Sequence, residues 1–156
     1  MSIDNNLYEK SIKILTDLIA FKTISGQDNS NLIDYCEKIL NNIGIDTFKV
    51  YDDDKKRVNL FGTLKAKNQS TKKPIILSGH TDVVPVSKGW SSDPFVATIK
   101  NDKLYGRGSC DMKGFIACTL AYAPIFKESN LDRDLHFCYT FDAVSYTHLT
   151  LPTIFA

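Results

Sequence analysis

Two short phrases carry side chains that could do chemistry together. Ser78-Gly79-His80-Thr81-Asp82 sets an imidazole two residues from a carboxylate, and Gly106-Arg107-Gly108-Ser109-Cys110-Asp111-Met112-Lys113-Gly114 offers a second aspartate and a thiol. An imidazole binds a divalent metal through one nitrogen when its other N–H is held, and a carboxylate is a common holder. On extended backbone, residues two apart face the same side, so Asp82 reaches the His80 ring if the chain stays extended through Thr81. Asp111 could then give an oxygen to the same ion or to a neighbouring one. The competing reading is a histidine hydrogen-bonded at a strand end with no ion involved. Thiol chemistry at Cys110 is a third reading, disfavoured because a neighbouring carboxylate opposes thiolate formation.

The elements that must position these residues can be read on either side of them. Pro74-Ile75-Ile76-Leu77 is a short apolar, β-branched run that predicts a buried strand, with His80 at its C-terminal edge. Open α/β sheets bind ligands where loops leave the carboxyl ends of strands. The glycine-rich phrase opens the apolar segment from Phe115 to Tyr122, which puts Asp111 at a loop-to-helix junction. That helix is expected over Met112 to Lys127, with Pro124 kinking it or ending it early. Phe95 to Ile99 and Lys103 to Tyr105 straddle Asn101-Asp102 as a hairpin, which would bring Asp111 back toward His80. Trp90 is expected to pack beside its neighbours rather than line a cleft.

Upstream, Leu7, Ile12, Ile14, Leu15, Leu18 and Ile19 recur at helical spacing after Asp4-Asn5, predicting a first helix that ends before Ser25-Gly26. A second helix is expected over Asn29 to Asn42, with Leu32, Ile33, Cys36, Ile39 and Leu40 inward and Gly44 as its stop. Ile45 to Tyr51 and Val58 to Leu64 read as strands joined by a turn at Asp52-Asp53-Asp54-Lys55. Those aspartates read as a solvated turn, because no pattern nearby supplies further ligands at loop spacing. Leu135 to Phe141 predicts an alternating, aromatic-rich strand on which His136 is structural. The order helix, helix, three strands, hairpin, helix, strand implies an α/β fold with a mixed sheet flanked by helices.

Composition narrows the classes of function. The 156 residues carry 19 Lys and Arg against 18 Asp and Glu, so no nucleic-acid or membrane footprint shows at the level of the whole chain. Lys55-Lys56-Arg57 and Lys72-Lys73 read as solvated surface. Cys36, Cys110, Cys118 and Cys138 show neither C-x-x-C pairing nor secretory spacing, which predicts reduced thiols and a cytoplasmic protein.

Read together, Ser78 to Pro85, Trp90-Ser91-Ser92-Asp93-Pro94-Phe95 and Asp102 to Gly114 closely resemble the M20 family of metal-dependent amidohydrolases and peptidases. The resemblance runs from Leu7 to Asp142 and includes Phe21 to Gly26, similar to the family's first loop. Within the family the wording is most similar to the acetylornithine deacetylases, with the succinyl-diaminopimelate desuccinylases as near relatives. The resemblance implies the N-terminal part of a zinc-peptidase-like catalytic domain. It implies a site of two Zn2+ ions, with Co2+ as a possible substitute, in which His80 ligates one metal, Asp82 orients His80, and Asp111 bridges both. It also implies a small N-acyl amino acid as substrate and a homodimeric parent enzyme.

The resemblance breaks after Asp142. In the family the strand matching Leu135 to Asp142 runs into a Glu-Glu pair, the first being the general base and the second a zinc ligand; here Ala143 and Val144 hold those places. Val144-Ser145-Tyr146-Thr147-His148-Leu149-Thr150-Leu151-Pro152-Thr153 is similar to a sequencing adapter translated in frame. The expected division is therefore 1–142 as catalytic-domain sequence and 143–156 as a non-native tail, so that His148 is not counted as a ligand. On this reading the chain itself is inactive, and the alternative is an inert α/β module.

Overall fold

The computed structural model describes residues 5–68 and 71–141. Helices α1 (Asn5–Ala20) and α2 (Ser30–Asn42) are followed by strands β1 (Asp46–Tyr51), β2 (Val58–Leu64) and β3 (Ile75–His80). A hairpin of β4 (Thr98–Lys100) and β5 (Lys103–Tyr105), helix α3 (Gly114–Glu128) and strand β6 (Leu135–Thr140) complete the described chain. The order is the one the hydrophobic periodicity predicts.

Four strands form a mixed sheet in the order β1-β2-β6-β3, antiparallel except for the parallel pair β3 and β6. In that parallel register His80 lies opposite Thr140. Both strands therefore deliver their C-terminal ends to one rim, where ligands collect in open sheets. Leu60, Leu135, Phe137 and Tyr139 from the sheet meet Leu32, Ile33, Leu40, Ile116 and Leu120 from the helices in the main core. Gly44 ends α2 in the left-handed region at φ 70°, as a helix-stop glycine does. Asn101 and Asp102 both take positive φ, the backbone of a tight two-residue hairpin turn.

Three expectations need correction. The Ile75-Ile76-Leu77 run is an edge strand rather than a buried one: Ile75 and Ile76 are exposed because β3 pairs only with β6 among the described strands. Strand β6 does not alternate; all six of its residues are buried, since it lies between β2 and β3. Pro124 does not end α3, which continues to Glu128. Proline removes one backbone donor, and the turn beyond it is held by Phe126 packed against the core and by the Ser129 hydroxyl donating to the Ile125 carbonyl at 2.7 Å.

Candidate metal centre

His80 is the last residue of β3, and the chain past it is tied down on both sides. Thr81 donates its N–H to the Thr140 carbonyl at 2.7 Å and its hydroxyl to the same oxygen at 2.9 Å. The loop after α1 then runs alongside. Thr23 Oγ1 donates to the Thr81 carbonyl at 2.6 Å, the Val83 N–H donates to the Thr23 carbonyl, and the Ser25 N–H donates to the Val83 carbonyl. Asn29 does not cap α2 with its side chain; Asp28 does, accepting from the Ser30 N–H at 2.7 Å. The Asn29 amide is instead buried, accepting from the Val58 N–H at 2.8 Å and donating to the Val58 carbonyl at 2.9 Å and to Thr81 Oγ1 at 3.0 Å. Such a satisfied buried polar network fixes a local geometry that apolar packing would leave looser.

Asp111 arrives on the far side of a distorted helical turn at Ser109–Lys113, interrupted at Asp111 (φ −122°) and Met112 (φ −138°), whose connecting peptide bond is cis. Two devices hold this turn. Gly108 has φ 80° and a Cβ there would fall 2.6 Å from Val83 Cγ1, so only glycine fits without displacing that side chain. The fully buried Lys113 sends Nζ to the Leu18 carbonyl at 2.9 Å and the Phe21 carbonyl at 2.7 Å, fastening the turn to the end of α1. Burial pulls the Lys113 pKa down to about 8.

The result brings together the three residues singled out from the sequence. His80 Nδ1 donates to the Asp82 backbone carbonyl at 2.9 Å, with the Asp82 carboxylate 3.5 Å from the same nitrogen. His80 Nε2 lies 2.9 Å from Asp111 Oδ1. The Asp82 side chain is 4% exposed and that of Asp111 86%, so one carboxylate is locked inside and the other is open to a ligand. The side chain of Asp82 raises the His80 pKa to about 9, joined by Asp111 and opposed by burial. An open pocket is lined by His80, Asp111, Cys110, Arg107 and Val83, among others.

Asp52 accepts from the backbone N–H groups of Lys56 and Arg57 and pairs with the Arg57 guanidinium at 2.7 Å, which is a closed turn. His136 Nδ1 pairs with Thr63 Oγ1 at 2.9 Å, and burial lowers its pKa. All four cysteines are free thiols. Trp90 is surface-exposed against Arg107 rather than packed inside. No helix among the described residues is long and apolar enough to cross a membrane. Asp142, Ala143, Val144 and His148 lie outside the described residues.

A braced histidine and an open aspartate on the rim of a mixed sheet define an α/β fold of the zinc-peptidase kind. Human carnosine dipeptidase 1 shares that fold at a TM-score of 0.74 and 23% identity, over 92% of this chain and 34% of that one. A Bacillus subtilis dinuclear metal-binding peptidase from the M20 family gives 0.62 and 16%, over 88% and 36%. At these identities the likeness is one of fold. Sequence then narrows it: residues 76–142 match the model for peptidase family M20/M25/M40. A succinyl-diaminopimelate desuccinylase from Rickettsia akari is 38% identical over 125 residues, 76% of this chain and 32% of its own length. An acetylornithine deacetylase from Myxococcus xanthus is 40% identical over 109 residues, 68% of this chain and 28% of its own. Together these matches support the M20 peptidase family. The chain spans about a third of the length of these curated relatives.

Does the site fit the metal that the family implies? An imidazole nitrogen and a carboxylate oxygen that already converge within 2.9 Å are suitable donors for zinc. They are also too few: among the described residues no group of three or more His, Cys, Asp or Glu side chains could hold a metal ion, whereas zinc sites use at least three protein ligands. The described residues therefore supply two converging donors, fewer than a zinc site needs.

Proposed function

We propose that residues 1–142 are the N-terminal part of the catalytic domain of a metal-dependent amide hydrolase, and that 143–156 are not part of it. The parent enzyme removes the acyl group of an N-acyl amino acid, with N-acetylornithine as the substrate suggested by the motif wording. N-succinyl-diaminopimelate is the second reading, favoured by the desuccinylase from Rickettsia akari. The observation that carries the proposal is the His80–Asp111 approach at 2.9 Å, with Asp82 behind the ring.

In this reading His80 Nε2 and Asp111 would hold the metal ion or ions, which would supply Lewis acidity toward the amide carbonyl and acidify a water. Asp82 keeps the Nδ1 proton in place, so that Nε2 presents its lone pair outward. The open Asp111 carboxylate has one oxygen at His80 and would offer the other as a further donor. The general base is absent from this sequence. Strand β6 ends at Thr140 beside His80, and the positions following Asp142, where the family carries Glu-Glu, hold Ala143 and Val144. Without a base the rate falls by roughly 10²–10⁴, and with two ligands metal binding is weak, so the 156-residue chain is inactive.

The test is hydrolysis of N-acetylornithine and N-succinyl-diaminopimelate, with Zn2+ or Co2+ supplied. It compares the 156-residue chain with the product of the source reading frame continued through Asp142. Turnover by the continued product alone is expected. Turnover by neither protein on either substrate, with metal bound, contradicts the substrate class.

A further inference from the structure

We propose that Arg107 forms a carboxylate-binding subsite on the wall of the pocket that contains His80 and Asp111. The inference rests on the amide-hydrolase reading and adds to it the residue that recognises the charged end of the substrate.

Arginine 57 pairs with Asp52 and arginine 133 with Asp132, but Arg107 has no carboxylate partner among the described residues. Its guanidinium makes one long contact, Nη2 to the Pro85 carbonyl at 3.3 Å, and its Nε is buried with no hydrogen-bond partner. A guanidinium offers five donors in a rigid planar fork that matches a carboxylate, and a buried donor without an acceptor is costly. The group is nevertheless held in place. Its carbon lies 5.3 Å from the centroid of the Trp90 ring, and the Arg107 N–H donates to the Pro94 carbonyl at 2.6 Å. The face of an indole attracts a guanidinium and restrains it.

The same pocket is lined by His80, Asp111 and Arg107 together with Val83 and Val84. A substrate whose amide sits at His80 and Asp111 would lay its short apolar stem on the valines and its anionic end at Arg107. A single guanidinium in a pocket that also holds the Asp111 carboxylate suits a singly charged carboxylate better than a phosphate dianion, which would gather more positive charge.

The test uses the metal-free 156-residue chain, isotopically labelled, with N-acetylglycine as the probe and N-acetylglycinamide as its neutral counterpart at matched ionic strength. Expected is a saturable shift of the Arg107 Nε–H and Trp90 indole N–H signals with N-acetylglycine alone, weakened about tenfold or more in Arg107→Gln. Arg107→Lys, which keeps the charge but loses the fork, should be intermediate. Equal responses to the two probes, persistence of the response in a folded Arg107→Gln, or no saturable response at all each overturn the subsite. Zn2+ titration in a separate sample reads the His80 ring. A zinc response there without a carboxylate response removes only the subsite, and the converse removes only the metal reading.

Discussion

Ser25 Oγ donates a 2.6 Å hydrogen bond to Asp82 Oδ2, leaving the other oxygen of that carboxylate toward His80 Nδ1. The loop after α1 thus reaches the His80 ring through Asp82, 57 residues from Ser25 in sequence. Hydrogen bonds to charged groups contribute about 1.5–3 kcal/mol. Ser25→Ala is expected to lower unfolding free energy by about 1–2 kcal/mol in urea titration, with the midpoint moving and the slope unchanged. A stability equal to the parent chain would mean that Asp82 is positioned without Ser25.

Asn29 should be costlier to lose. It serves both backbone groups of Val58 and the Thr81 hydroxyl, and Asn29→Ala strands buried polar groups at roughly 1–3 kcal/mol each. A loss of about 3 kcal/mol is expected in denaturant unfolding, together with faster amide exchange at Thr81 and Val83. Loss of less than about 1 kcal/mol would contradict the network's role in holding the His80 rim.

The electrostatics of His80 give a pH dependence with a definite sign. Its folded-state pKa of about 9 lies above the ordinary 6.5. The stabilisation from its partners is therefore complete below about pH 6.5 and is lost as pH rises through 9. A metal ion must displace the proton that Nε2 shares with Asp111. Zinc affinity should climb with pH up to about 9 and then level off, with about one proton released per ion at pH 7. Calorimetry in buffers of different ionisation enthalpy measures that number, and zero release would mean that zinc binds elsewhere.

Asp82→Asn tests the brace itself. In a parent enzyme carrying the full ligand set, replacing a partner of this kind typically costs 10–100-fold in metal affinity or activity, about the loss expected here. Unchanged zinc affinity and turnover would assign the bracing to the Asp82 backbone carbonyl alone, which is the nearer acceptor at 2.9 Å.

What the sequence disclosed and what it concealed divide along sequence separation. His80 and Asp82 are two residues apart on a strand end, and the glycine-rich phrase marks the turn that returns Asp111, so local patterns sufficed for all three. Ser25, Thr23 and Asn29 are ordinary polar residues whose importance comes from contacts across 52 to 58 residues, which no periodicity encodes. Arg107 left no signal beyond its place in the motif, because an unpaired guanidinium is visible only once its neighbours are known. The same limit explains β3 and β6: a β-branched run and an aromatic run both predict strands, but which lies at the edge depends on pairing.

The proposed metal centre requires His80 and Asp111 to ligate the same ion. Zn2+ titration of the 156-residue chain, followed through the ring nitrogen resonances of His80, tests it most directly. A weak, saturable shift at Nε2 with little change at Nδ1, abolished in Asp111→Ala, is expected. A His80 ring that does not respond to Zn2+, or responds equally without Asp111, would contradict it.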